Sequence, residues 1–276
     1  MHPLINIATS AARRAGDLLV RYFDRLDTLN VQTKGRGDFV SEVDRAVERE
    51  VSDIILKAYP HHGIIGEEGG ERPGQDCDWI IDPLDGTRNY LNGYPHFCVS
   101  IAVRERGRIE HGVIYDPLLQ EMFTASRGAG ATLNSRRIRV STTTRYDESI
   151  VCTGLATHQE SQLAVNQAIE AALTREAVAM RRSGSAALDL AYVSAGRLDA
   201  YWQYGLKLWD LAAGVLMVRE AGGMVSSPDG RETYLDTGDV LATNARLFRP
   251  TLQLIQRERR HLSPDHGVDP APSTNP

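Results

Sequence analysis

The sequence predicts helices packed on an antiparallel sheet over residues 1–145, followed by an α/β unit over residues 146–261. Three observations carry this reading. Apolar residues recur at helical spacing near the N-terminus, period-two runs parted by turn signals fill the middle, and strands alternate with helices from about residue 146.

In chain order, Leu4, Ile7, Ala8, Ala11, Ala15, Leu18 and Leu19 mark an amphipathic helix, and Arg13 and Arg14 between them exclude a secretory signal. A polar, Gly-containing loop or hairpin, "VQTKGRGD", leads to a second helix that turns Val43, Ala46, Val47, Val51, Ile54 and Ile55 inward. Trp79, Ile80 and Ile81 form a short strand that Pro83 and Gly86 break. Residues 97–104, 109–115 and 121–125 read as an antiparallel meander, with turns at Arg106-Gly107 and Asp116-Pro117, and "TLNSRRIRVS" adds a turn and one more strand. The second part reads as strand "SIVCTGL", a helix around 160–174, a strand near 178–182, helix "SAALDLAYVSAG", strand "DAYWQY" and helix "LAAGVLMVREAGG". A last helix ends near His261. Residues 262–276 hold four prolines and almost no large apolar group, which predicts a disordered tail.

Composition excludes several classes. At 276 residues, 42% hydrophobic and 24% charged, the chain is ordinary globular protein without an internal repeat. A net charge of −5 argues against nucleic-acid binding through bulk charge. Cys77, Cys98 and Cys152 lack the spacing of a disulfide framework or a zinc site and point to a reducing cytoplasm. No apolar run approaches the roughly 18 residues of a membrane span.

The chemistry concentrates in acids. Asp82 and Asp85 stand three residues apart where a buried strand becomes a turn, and their mutual repulsion must be offset by cations or by a proton. Three further acidic segments could join them. These are Asp44 in "SEVDRA", Glu67 with Glu68 at the end of "GIIGEEGG", and Asp210 in "LKLWDLAAG". Asp210 also suits a helix N-cap, and Asp44 a solvated helix face. Carboxylates with a backbone carbonyl such as that of Leu84 suit a hard divalent cation, Mg²⁺ above all. Gly86 and Thr87 begin a helix whose free N–H groups favour an anion such as phosphate. Together these predict a Mg²⁺-dependent phosphate-ester hydrolase.

The motifs "GEE" at 66–68, "WIIDPLDGTRNY" at 79–90 and "WDLAAGVLMVREAGG" at 209–223 resemble the inositol monophosphatase family. The resemblance extends to "KGRGDFVSEVD" and "RRSGSAALDLAYVSAGRLDAYW" and covers roughly residues 1–260. It implies a layered α/β/α/β/α sandwich of the inositol monophosphatase and fructose bisphosphatase type, commonly a homodimer, with two to three Mg²⁺ ions and inhibition by lithium. Glu67, Asp82, the Leu84 carbonyl and Asp85 would bind the first ion; Asp82, Asp85 and Asp210 the second; a third, weaker one would sit near Glu67. Asp44, Glu67 and Thr87 would act in catalysis, with Asp44 and Thr87 activating the water. Asp85, Gly86 and Thr87 would meet the phosphate, and Gly184, Ser185, Ala186, Gln203 and Asp210 the rest of the substrate.

That substrate is a small-molecule phosphate ester, inositol 1-phosphate first, with fructose bisphosphate, adenosine bisphosphate, histidinol phosphate and NADP used elsewhere in the superfamily. The opening "MHPLINIA" and "GSAALDLAYVSAGRLD" look most like a bacterial branch associated with transcription antitermination and ribosomal RNA maturation. Contact with the transcription machinery is the second function this implies, and the Arg181-Arg182 segment is its candidate surface. Gln203 departs from the family's usual Glu and loses a charge that strengthens hydrogen bonds to ring hydroxyls. Arg88 and Tyr90 replace the commoner Thr and Phe, and Arg88 reads as an exposed helix residue. His96 reads as structural, Cys98 as a small hydrophobe, and Arg136, Arg137 and Arg139 as a solvated face.

Overall fold

The computed structural model describes residues 2–26, 31–35, 38–154 and 160–262, and the expected tail lies outside the described residues. Helix α1 (Pro3–Phe23) opens with Pro at its first position, where the missing N–H costs nothing. It buries Leu4, Ile5, Ala8, Ala11, Ala12, Ala15 and Leu19. The hairpin β1 (Val31–Gly35) and β2 (Asp38–Ser41) precedes α2 (Glu42–Ala58), whose inner face carries two acids, Asp44 and Glu48, among Val43, Val47, Val51 and Ile55.

The next strands are β3 (Gly63–Gly66), β4 (Gly70–Arg72) and β5 (Cys77–Asp85), followed by the short α3 (Thr87–Leu91). Then come β6 (Cys98–Glu105), β7 (Arg108–Asp116), β8 (Glu121–Ser126), β9 (Gly130–Leu133) and β10 (Arg136–Arg137). They form one eight-stranded sheet in the order β10-β9-β8-β7-β6-β5-β3-β4, antiparallel except where β3 and β5 run parallel.

The second part supplies β11 (Ile150–Thr153), α4 (Glu160–Glu176), β12 (Ala179–Arg181), α5 (Ala186–Ser194), β13 (Ala200–Gln203) and α6 (Leu208–Glu220). Beyond the sequence-based expectation it adds β14 (Met224–Ser226), α7 (Tyr234–Thr237) and β15 (Val240–Thr243), before α8 (Phe248–Leu262). The five strands pair in the order β12-β11-β13-β15-β14, parallel over the first three and antiparallel over the last.

Side-chain periodicity stacks these elements. Along β5, Trp79 and Ile81 pack with α1 and α2, whereas Ile80 points to the other face and meets Ala187, Leu188 and Ala213 of α5 and α6. The far sides of α5 and α6 bury Leu190, Leu211 and Val215 against Tyr201 and Ala242 of the second sheet. The outer face of that sheet, through Val151, Trp202 and Leu241, is covered by Ile169 and Leu173 of α4 and Leu254 and Ile255 of α8. The result is the expected α/β/α/β/α sandwich. Because α5 and α6 are covered on both sides, Ala186–Leu190 and Leu211–Val218 are buried without a polar stripe other than Asp189. Small residues let them approach, and a Cβ on Gly214 would lie 2.6 Å from Leu190 Cβ. No helix among the described residues is long and apolar enough to cross a membrane.

Candidate active site

The acidic pair is built by a fault in a strand. Strand β5 does not stop at Pro83 but runs on to Asp85, and its register against β6 shifts between the pairs Asp82↔Ser100 and Asp85↔Cys98. Three steps on β5 therefore oppose two on β6, which is a bulge of one residue. Pro83, which has no N–H to give a ladder, sits inside it. On a regular strand residues 82 and 85 would point to opposite faces. The extra residue puts Leu84 with Trp79 and Ile81 on the α1 side and brings Asp85 to the same side as Asp82. An Asp82 Oδ1 bond from the Leu84 N–H, 3.0 Å, closes the turn.

Two helix starts complete the cluster. Asp85 Oδ2 accepts the Ser185 hydroxyl at 2.6 Å and the Ala187 N–H at 2.7 Å, both at the N-terminal end of α5, where a negative charge is favoured. Asp210 lies in the first turn of α6, not before it, and its Oδ2 accepts the Lys207 N–H at 2.8 Å. Ser100, the β6 partner of Asp82, donates its hydroxyl to the Trp209 carbonyl and so ties this helix start to the sheet. Oxygens of Asp82, Asp85 and Asp210 all lie within 4.8 Å of one another.

Burial raises the Asp82 carboxyl well above the ordinary range, and the charges of Glu67, Asp85 and Asp210 raise it further. Burial also raises Asp85, against the opposing effect of its Ser185 and Ala187 donors. Asp210 is pushed up to about 7 by burial and then by Asp85. Three carboxylates so placed disfavour one another's charge, which a bound cation would offset. An oxygen-only donor set with a carbonyl close by fits a hard divalent ion and not a soft one.

The remaining expected residues surround this cluster. Thr87 Oγ1 stands 3.0 Å from the Leu84 carbonyl and 3.3 Å from Asp44 Oδ1, so the buried Asp44 on α2 meets the β5–α3 corner. Gly86 caps α3 in the left-handed region at φ 98°, and a Cβ there would lie 3.0 Å from the His96 carbonyl. Glu67 follows β3, donates its N–H to the Ile81 carbonyl at 3.3 Å, and acts on Asp82 through its charge. His96 stands outside the cluster, its Nε2 3.6 Å from Asp189 Oδ1.

A cleft of about 290 Å³ opens at Asp85 and Asp210 and is lined also by Gly184, Ala186 and Gln203, as the motifs imply. Ser185 is buried, with its hydroxyl on Asp85. Sequence reasoning missed Asn89, Thr153, Gly154 and Leu206 in the lining; Arg88 is exposed on α3 and Arg182 is exposed at the surface, as expected, but their place at the cleft was not foreseen. Both arginines line this cleft, because the Asn89 amide bonds the Ser183 carbonyl at 2.8 Å and brings α3 against the segment before α5. Glu48 was missed too. Its carboxylate accepts the Glu68 N–H at 2.8 Å and the Gly69 N–H at 2.5 Å, fixing the turn that carries Glu67. The available signal was its position four residues after Asp44, one helical turn along the same face.

This sandwich, with acids from β5 and α6 meeting at one cleft, is a family architecture: the chain belongs to the inositol monophosphatase family, whose model matches residues 1–260. Its relatives include the Nus factor SuhB of Pseudomonas aeruginosa, 47% identical over an alignment of 270 residues that covers 96% of this chain and 98% of that one. Among solved structures, the extragenic suppressor protein suhB of Bartonella henselae aligns with a TM-score of 0.90 at 40% identity, covering 93% of this chain and 99% of that one. The IMPase of Thermotoga maritima aligns at 0.87 and 33% identity, covering 95% and 100%. The bacterial branch that the opening segment resembles is thus represented among them.

Proposed function

We propose that the chain hydrolyses small phosphate monoesters with Mg²⁺, inositol 1-phosphate to myo-inositol and phosphate being the first reaction to test. The observation that carries this reading is the trio Asp82, Asp85 and Asp210, with oxygens within 4.8 Å of one another, of which Asp85 and Asp210 line a cleft. Bound Mg²⁺, two to three ions, supplies an activated water and offsets phosphate charge. Glu67, Asp82, the Leu84 carbonyl and Asp85 would hold one ion, Asp82, Asp85 and Asp210 another, with a weaker one near Glu67. Asp44 and the Thr87 hydroxyl orient the attacking water, and Asp44 Oδ1 draws its proton through Thr87 Oγ1. The Gly86 and Thr87 N–H groups hold the phosphate, while Asp210 lies beside the departing oxygen and Gly184, Ala186 and Gln203 face the alcohol.

Phosphate release from inositol 1-phosphate should require Mg²⁺, stop with a chelator and fall with Li⁺. Asp85→Asn should lower turnover about 100-fold or more with its fold intact by circular dichroism. Turnover within tenfold of the parent would count against the assignment.

The names of the relatives favour a second reading alongside the first, a cytoplasmic partner of the transcription machinery. It predicts that the purified chain, a homodimer by light scattering, binds transcription-elongation components equally well with Asp85 or with Asn at that position. Failure of the parent to bind would sink it. Arg181→Ala is the cleaner surface variant, since Arg182 lines the cleft.

A further inference from the structure

Helix α5 carries one acid in an otherwise apolar buried stretch, and packing alone gives no reason for it. Asp189 is buried one helical turn beyond Ser185, among Leu188, Leu190 and Ala191. Its Oδ2 accepts the Cys152 thiol at 3.3 Å, while its Oδ1 faces His96 Nε2 at 3.6 Å, and neither of these two buried atoms has a hydrogen bond. Among the described residues they have only each other. The His96 ring also stands edge-on to Tyr192 of the same helix, with centroids 5.9 Å apart.

This contact joins two segments that the active site must keep in register. On one side the His96 carbonyl accepts the Asn89 amide at 2.8 Å and lies where a Cβ on Gly86 would come within 3.0 Å, so His96 backs the Gly86–Thr87 corner. On the other, the start of α5 holds Asp85 through the Ser185 hydroxyl and the Ala187 N–H. Well-packed apolar residues often match or exceed a buried charge pair in stability, so stability does not account for Asp189. A contact of fixed direction does. Resting on the metal site of the phosphatase reading, we propose that His96 and Asp189 are positioning residues, whose contact aligns the Gly86–Thr87 corner with the start of α5 and so places Asp85 for the cation.

Calorimetric Mg²⁺ binding tests this apart from turnover. The apolar pair, His96→Phe with Asp189→Leu, should melt close to the parent or above it, yet bind Mg²⁺ about tenfold more weakly or worse. Asp189→Asn keeps the contact, since its Oδ1 can accept the His96 N–H while its amide meets the Cys152 sulfur, and it should bind within about threefold of the parent. Turnover of inositol 1-phosphate should follow the same order. A double variant that binds within about threefold of the parent overturns the proposal, as does a loss in Asp189→Asn equal to that of the double variant. Should the double variant melt far below the parent, His96→Gln against His96→Leu makes the comparison with Asp189 in place. Gln, which retains an N–H, should then bind as the parent does and Leu about tenfold more weakly, and equal affinities overturn the proposal. If no ester is hydrolysed the phosphatase reading fails alone, and the Mg²⁺ affinities still decide this one; a parent that binds no Mg²⁺ overturns both.

Discussion

Asp210 shows how one residue serves fold and chemistry in opposition. Its carboxylate caps α6 by accepting the Lys207 N–H, yet burial and Asp85 push it up to about 7, against an ordinary 3.8. For an acid raised in the folded state, stability is fully present below the unfolded value and is lost as pH rises through the folded one. Metal-free protein should therefore gain from Asp210→Asn at pH 8, by about 1–2 kcal/mol, and gain little at pH 4. Melting temperatures of both proteins at the two pH values check this, and an equal shift at both would refute it. With Mg²⁺ present the order should reverse at pH 8, the parent becoming the more stable. Glu48 carries a second residue-level prediction. Glu48→Ala leaves the Glu68 and Gly69 N–H groups without their acceptor and should cost about 1–3 kcal/mol in chemical denaturation. The same change should loosen Glu67 and lower turnover about tenfold, whereas a purely structural role would leave turnover of the folded fraction unchanged.

Among the elements, the central pair α5 and α6 is the most constrained. Gly214 has room for no side chain against Leu190, and a Cβ on Gly112 of β7 would lie 3.0 Å from the Ala213 backbone. Gly214→Val should therefore cost about 1–3 kcal/mol through overpacking, measured as a lower denaturation midpoint with unchanged slope. These two helices read clearly in the sequence because they are long and apolar. So do α1 and α2, through their one-sided spacing, and the meander β6–β8, through its turns. Strands β14 and β15 and helix α7 escaped notice because each is three or four residues long, too short for a period to register; β15 is held by pairing to β13, β14 by pairing to β15, and all three pack on α6.

For the whole molecule, legibility followed distance along the chain. The acids of the Asp82/Asp85 motif sit within one strand, so local chemistry exposed them. Arg88 and Arg182 line one cleft only because the chain closes a contact spanning 94 residues, and nothing local to either announces it. The two sheets share α5 and α6, so Asp82 and Asp85 of the first sheet, Asp210 of α6 and the lining residues of the second sheet cohere only in the assembled sandwich.

The bulge in β5 makes the site a matter of parity. Strand side chains alternate like odd and even numbers, and one surplus residue converts the odd separation of Asp82 and Asp85 into an even one. Removing one residue between them should erase the bulge and leave both carboxylates on one side of a regular strand, without the turn that the Leu84 N–H closes, while the neighbouring ladder survives. The hairpin tips at Gly107 and Gly128, where an added Cβ would meet nothing within 4 Å, lie outside that arithmetic. Tolerance of length change along this chain is thus set less by burial than by whether the count between two side chains must stay even.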